Sequence, residues 1–233
     1  MRCSFPGCRV ECYVDGQATI NGTIFGKIAH IVAHSDAGPR AKASLPVSER
    51  NAYENLILLC ANHHDIVDGD DVTYTVEHLR RIKADHEQWV RSRLQDEIAE
   101  ITFAELEIVT KALLANAPAA GMSFHVIAPD EKIKKNDLTG KVRDLLLIGT
   151  MKAREVEQFV QHVGIVDSTF PERLRTGFIA EYKRLFADGL RGDDLFMELF
   201  AFAQQRRQCD FRTEAAGLAI LTHYFSICDV FES

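Results

Sequence analysis

Apolar residues first gather into two short runs, residues 27–33 (KIAHIVA) and 56–59 (LILL), each of strand length. A histidine, His30, lies on the first run, and an asparagine, Asn55, opens the second. A short polar stretch follows, in which Thr75 can cap a helix with Glu77 and His78 in its first turn. Leu79, Ile82, His86, Trp89, Val90 and Arg93 then recur at three-and-four spacing, the period of a helix. His78 and His86 read as surface or packing residues of that helix, and Trp89 as the residue that pins it to a core.

A boundary between Arg93 and Phe103 divides the chain into domains over residues 1–95 and 96–233, the second long enough for a core of its own. That second part reads as mostly helical. Residues 101–116 are amphipathic and stop before Pro118, and residues 121–127 (GMSFHVI) form its one strand-like piece. Ile133, Lys134 and Lys135 fall in a polar connector. A helix is expected over 137–162, with Gly149 making a kink or break possible. Pro171 opens another, with Leu174, Phe178, Tyr182, Leu185 and Phe186 on one stripe and Gly189 at its end. Residues 195–202 and 215–231 complete the set. The expected class is α+β, with no repeat, low-complexity tract or long linker.

Cysteines change the picture. The six are Cys3, Cys8, Cys12, Cys60, Cys209 and Cys228. The N-terminus carries no apolar signal core, and no run approaches the roughly 18–20 apolar residues of a membrane span. A reducing cytoplasm is the expected compartment, where clustered Cys and His are more often metal ligands than bridges. Cys3 and Cys8 flank Pro6-Gly7 at C-x4-C spacing, and Cys60 and His63 follow at C-x2-H. Sulfur and imidazole suit tetrahedral zinc, and the pairs meet if the fold returns residue 60 to the N-terminal loop. Cys12 is the natural substitute for Cys3 or Cys8. Otherwise Cys60 is a buried strand end and Cys3 and Cys8 are free thiols. Cys209 and Cys228 read as buried apolar residues.

His30, Asn55, Cys60, His63 and His64, in that order and spacing, resemble the HNH nuclease family. The resemblance covers roughly residues 1–90 and implies a zinc-stabilised ββα-metal fold. It implies His30 as general base, a role suited to an imidazole that titrates near neutral pH. It implies His64, the residue after the last zinc ligand, as a ligand of a catalytic cation. Asn55 would anchor the loop of the base or lend its amide oxygen to that cation. Asp68, one turn beyond His64, can add a carboxylate for a hard ion such as Mg²⁺ or Mn²⁺. Many members carry an acidic ligand just before the base, where this chain has Ala29, although some share Ala-His-Ile. His34, expected on the same strand face as His30, could fill that gap or be an ordinary polar loop residue. Arg40, after Gly38-Pro39, could grip a scissile phosphate bidentately, and Arg50 is a weaker version of that reading.

The tail holds no catalytic constellation: His125, His162 and His223 have no partner spacing. Glu181-Tyr182, Gly192-Asp193 before Leu195-Phe196, and Cys228-Asp229-Val230-Phe231 resemble the C-terminal domains of bacterial ABC-three-component systems. A generic helical dimerisation or substrate-binding domain is the competing reading. The resemblance implies an effector of an anti-phage defence complex, recognised by an SMC-like ATPase and a middle component. Charge agrees with delivery by a partner or by self-assembly. With 27 Lys+Arg against 34 Asp+Glu, the first 95 residues carry a net charge of −1 and the remainder −6. Affinity for duplex DNA comes largely from basic residues displacing counterions, and this chain has no basic excess. The expected function is a metal-dependent endonuclease acting on nucleic acid, with double-stranded DNA as the expected substrate. A non-catalytic zinc-stabilised adaptor, and a stand-alone restriction-type or CBASS-like nuclease, are the alternatives.

Overall fold

A computed structural model describes residues 1–14, 23–41, 45–115, 128–204, 210–227 and 231. The chain divides into two compact units, Met1–Ser92 and Arg93–Ser233. The strand-like stretch at 121–127, with His125, lies outside the described residues, as do Cys209 and Cys228.

Among the described residues, the first unit holds two small antiparallel sheets. β1 (Tyr13–Val14) pairs with β2 (Thr23–Ile24), a ribbon the hydrophobic pattern does not announce. β3 (Lys27–His30) pairs with β4 (Leu56–Leu59) in a register that sets Lys27 opposite Leu59 and His30 opposite Leu56. α1 (Ala61–Gly69) follows β4 directly, so the order is strand, strand, helix. The first apolar run was expected to continue as strand past His30, but β3 ends there. Ile31 N–H still reaches the Asn55 carbonyl, but the N–H and C=O of Val32 are taken by the Asn55 side chain, and the backbone leaves the ladder. His34 therefore lies in a loop, not on a strand face. Ala29, Ile31, Ile57, Leu59, Val67, Leu79 and Ile82 pack with Cys3 and Cys12 into the core of this unit.

α2 (Val76–Glu100) begins where the Thr75 Oγ1 accepts from His78 N–H, a side-chain N-cap. Trp89 stacks on His86 and carries the Arg9 guanidinium 4.4 Å above its ring, fastening the helix to the N-terminal loop. His86 is half-buried, and that burial, with Arg9 beside it, pulls its pKa down to about 4.

The second unit is a helical bundle. α3 (Phe103–Ala115) opens on a capping box: Thr102 Oγ1 accepts from Ala104 N–H while Glu105 reaches back to Thr102 N–H. α4 (Pro129–Lys135) occupies the stretch expected as a polar connector. Pro129 at its first turn and Asp130-Glu131 behind it are start signals, and Ile133 and Lys132 are buried. The expected helix over 137–162 is two, α5 (Gly140–Thr150) and α6 (Ala153–Val166). α7 (Phe170–Ala187) starts with Pro171 and ends at Gly189, whose φ of +94° suits glycine. α8 (Gly192–Ala203) and α9 (Phe211–Ile227) follow.

α9 is the centre of the bundle. Ala215, Ala216, Leu218, Ala219, Ile220, Leu221, Tyr224 and Phe225 are all buried, so the helix is apolar all round and touches α3, α5, α6 and α8. Gly149 of α5 lies against it so closely that a Cβ there would overlap Thr222 Oγ1. The fully buried Lys132 donates to the Phe225 carbonyl at 2.8 Å, capping the end of α9 with a cation. α9 is described as far as Ile227 and residues 228–230 lie outside the described residues; Phe231, expected in the same helix, lies in a turn and packs in the core against Tyr182, Phe196 and Phe225. Among the described residues no helix is long and apolar enough to cross a membrane.

Candidate active site and metal centre

The fold brings residue 60 back to the N-terminal loop. Ser4 N–H donates to the Leu58 carbonyl at 2.9 Å, and Cys60 N–H points at Cys3 Sγ at 3.2 Å, just before the first turn of α1 carries His63. Ligand atoms of Cys3, Cys8, Cys60 and His63 all lie within 4.8 Å of one another. Among the described residues these form the group of three or more such side chains that could hold a metal ion. Cys60 Sγ is 3.1 Å from His63 Nδ1, and Cys3 Sγ 3.7 Å from it. Phe5 stacks flat on the His63 ring, 3.9 Å away and 8° from parallel, and fixes its plane. Tetrahedral zinc places S and N ligands roughly 3.5–3.8 Å apart, so this cage fits such an ion after small rotamer shifts. Burial pushes the Cys3 thiol up to about 12. Burial acts on Cys60 too, but the N–H groups of His63 and Asn62, with Cys3 and Cys8, leave that thiol below its ordinary value. Cys12 stands outside the group, buried, its Sγ near the Val10 carbonyl.

A neighbouring face of α1 borders a cleft of about 220 Å³ lined by His30, His34, Gly38, Arg40, His64 and Asp68, among others. His30 enters it from the end of β3, and its Nε2 lies 2.9 Å from Asn51 Oδ1. The His34 ring, from the loop, is 5.3 Å from that of His30. His64 and Asp68 share one face of α1, with His64 Nδ1 3.6 Å from Asp68 Oδ2 and 3.5 Å from Asp65. That nitrogen is buried and makes no hydrogen bond, a donor set open to a cation.

Asn55 is buried and fully engaged. Its Oδ1 accepts from Val32 N–H at 2.8 Å, and its Nδ2 donates to the Val32 and Arg50 carbonyls at 2.9 and 2.8 Å. Of the two roles weighed for it, this geometry is that of the loop anchor. Arg40 is likewise turned inward rather than toward solvent. Its side chain is 4% exposed, and its guanidinium donates to the carbonyls of Ile31, Val67 and His30 and to Asp68 Oδ1, the last at 2.6 Å. These bonds clamp the loop after β3 onto α1. Arg50 spends its guanidinium on the His34 carbonyl and Asp36.

Two contributors are invisible in the sequence pattern. Asn51 is one, four residues before Asn55. Lys83 of α2 is the other: its ammonium lies 3.6 Å above the Tyr53 ring and donates to the Tyr53 and Leu56 carbonyls, bracing the turn that carries Asn55. Only their helical and turn context brings either to the site.

In the second unit His162 and His223 are apart from any comparable cluster of described residues. His223 is mostly buried, which lowers its pKa. Of the residues singled out in this half, Tyr182 and Asp193 belong to the framework, and Cys228, Asp229 and Val230 lie outside the described residues. Tyr182 packs on Phe231, and Asp193 Oδ1 accepts from Thr139 N–H at the start of α5.

No curated protein and no solved structure matches the chain. A family model does match, over residues 104–232, more than half of the chain and nearly all of its helical bundle: C-terminal domain 10 of the ABC-three component (ABC-3C) systems. The bundle built around α9 is the body of that match, and through it the chain belongs to the family of ABC-three component C-terminal domain 10 proteins.

Proposed function

We propose that the protein is a metal-dependent endonuclease of HNH type that serves as the effector of an ABC-three-component anti-phage defence complex, with double-stranded DNA as its substrate. The observation that carries the reading is the shared cleft: His30 on β3 faces His64 and Asp68 on α1, directly behind a Cys3/Cys8/Cys60/His63 cage suited to structural zinc. Cage and cleft use neighbouring faces of one helix, so metal in the cage would fix the helix that presents the cleft residues.

In this reading His30 takes the proton of the attacking water. Asn55 holds the strand end that carries it, and Arg40 fixes the loop wall against α1. His64 and Asp68 would hold Mg²⁺ or Mn²⁺, which supplies positive charge to the phosphate and the departing oxygen. Arg40 already neutralises one Asp68 oxygen, which leaves Oδ2 and the His64 nitrogen as the free donors. The bundle supplies partner recognition, and its acidic balance argues against a nucleic-acid role for that half.

Ala29 beside the base, and the engagement of Asp68 by Arg40, favour a second reading: a non-catalytic zinc-stabilised adaptor on the same scaffold. Plasmid cleavage by the purified chain in Mn²⁺ or Mg²⁺ separates the two. His30→Ala is expected to lower cleavage about 10²–10⁴-fold with zinc content and melting unchanged. Wild-type cleavage in that variant would remove His30 from the chemistry. No metal-dependent cleavage by the parent, alone or with the other components of its system, would leave the adaptor.

A further inference from the structure

Asn51 is exposed, yet its side chain contacts the ring of His30 end-on, its Oδ1 2.9 Å from Nε2. An amide oxygen only accepts, so the nitrogen opposite it must carry the proton. A neutral imidazole has one N–H, and fixing it on Nε2 leaves the lone pair on Nδ1. The position of Asn51 is itself determined from the buried side. Asn55 Nδ2 holds the Arg50 carbonyl at 2.8 Å, one residue before Asn51, while its Oδ1 and Nδ2 hold Val32, two residues after His30. The Arg40 guanidinium supports the His30 carbonyl as well. One buried asparagine thus sets the spacing between the base and the second asparagine that touches it.

We propose that Asn51 is a positioning residue that holds His30 in the Nε2–H form, so that Nδ1 is the atom that accepts the proton from water. The catalytic half of this statement rests on the nuclease reading; the tautomer half does not. Asn55 sets the distance, Asn51 sets the tautomer, and His30 does the chemistry. A ring without Asn51 would rotate about its χ angles and divide its proton between the two nitrogens, which lowers the fraction of molecules ready to react without altering substrate binding.

The test uses the full chain labelled with ¹⁵N at histidine, held at a pH where His30 is neutral, with its signals assigned by loss in His30→Gln. The wild type is expected to show Nε2 as the protonated nitrogen and Nδ1 as the bare one. Asn51→Ala should move both shifts toward averaged values and lower kcat on plasmid about 10-fold or more, with KM and zinc content unchanged. Asn51→Asp, which keeps an acceptor in place, should retain the wild-type signature. A wild-type ring protonated on Nδ1, as an amide turned to donate would give, overturns the proposal. So does an Asn51→Ala spectrum identical to wild type, or an effect of that variant on KM alone. If the parent cleaves nothing, the nuclease reading fails while the spectra still decide the tautomer.

Discussion

Replacing Arg40 by methionine keeps the aliphatic stem and removes the guanidinium. The side chain is almost fully buried, and its φ of +62° is the same strain for either residue, so the comparison isolates the polar contacts. Two buried carbonyls, those of Ile31 and Val67, lose donors at 3.0 and 2.8 Å, each worth about 1–3 kcal/mol when left unpaired. Asp68 loses its ion-pair partner, but it is a third exposed, so water recovers much of that charge and the loss falls below the ~3–5 kcal/mol of a fully buried pair. The sum is a destabilisation of about 3–5 kcal/mol, a large share of the ~5–15 kcal/mol available to a domain. Trp89 is the sole tryptophan and lies in the first unit, so urea unfolding followed by its fluorescence reports this unit without the bundle. Arg40→Lys keeps a charge opposite Asp68 but cannot span both carbonyls, and should recover less than half of the loss. A change under about 1 kcal/mol, accompanied by a raised KM for plasmid, would refute the clamp and return Arg40 to the role of a phosphate contact.

Cys60→Ser and His63→Ala are each expected to abolish stoichiometric zinc, measured by elemental analysis of the purified chain, and to lower the Trp89 unfolding transition. Zinc retained in both variants would remove the cage. His86 gives a pH dependence of known sign: its folded pKa is about 4 against an ordinary 6.5, so the unfolded chain binds the proton more readily. Its contribution is complete above about pH 6.5 and declines as pH falls toward about 4. His86→Gln should flatten that part of the stability profile relative to wild type, and an unchanged slope would contradict it. Gly149→Ala should destabilise the bundle by ~1–3 kcal/mol in thermal melts followed by circular dichroism, with partial recovery on adding Thr222→Ala.

Local chemistry was legible in the sequence where it depends on neighbours in the chain. The Cys60-x2-His63 pair, the caps at Thr75, and the proline start and glycine stop of α7 are set by residues within one turn of each other. Pairs distant in sequence were legible only through the HNH resemblance, which placed His30, Asn55 and His64 in order but not their distances. Arg40 shows why the rest was hidden. An arginine after Gly-Pro looks solvent-exposed, and only the return of α1 to the loop after β3 reveals three carbonyls and a carboxylate awaiting it. His34 was misplaced because period-two spacing presumes a strand that continues, and the Asn55 side chain ends the strand by occupying Val32. α4 was missed for a similar reason: Lys132-Ile133-Lys134-Lys135 reads as polar, while Lys132 is drawn inside by the carbonyl end of α9, at Phe225, 93 residues further along the chain.

The centrality of α9 has a consequence for how the chain is made. The cage closes with His63, so all four of its side chains have left the ribosome early in synthesis. The core helix of the second unit is the last of the described helices to appear, and the six described helices of that unit before it, α3 to α8, have no apolar centre to pack on until it does. At about 5–20 residues per second, the interval between the two is on the order of ten seconds or more. The helical half of the molecule therefore acquires its shape only in chains translated through the last helix, and a truncated product would carry a folded first unit without the family domain.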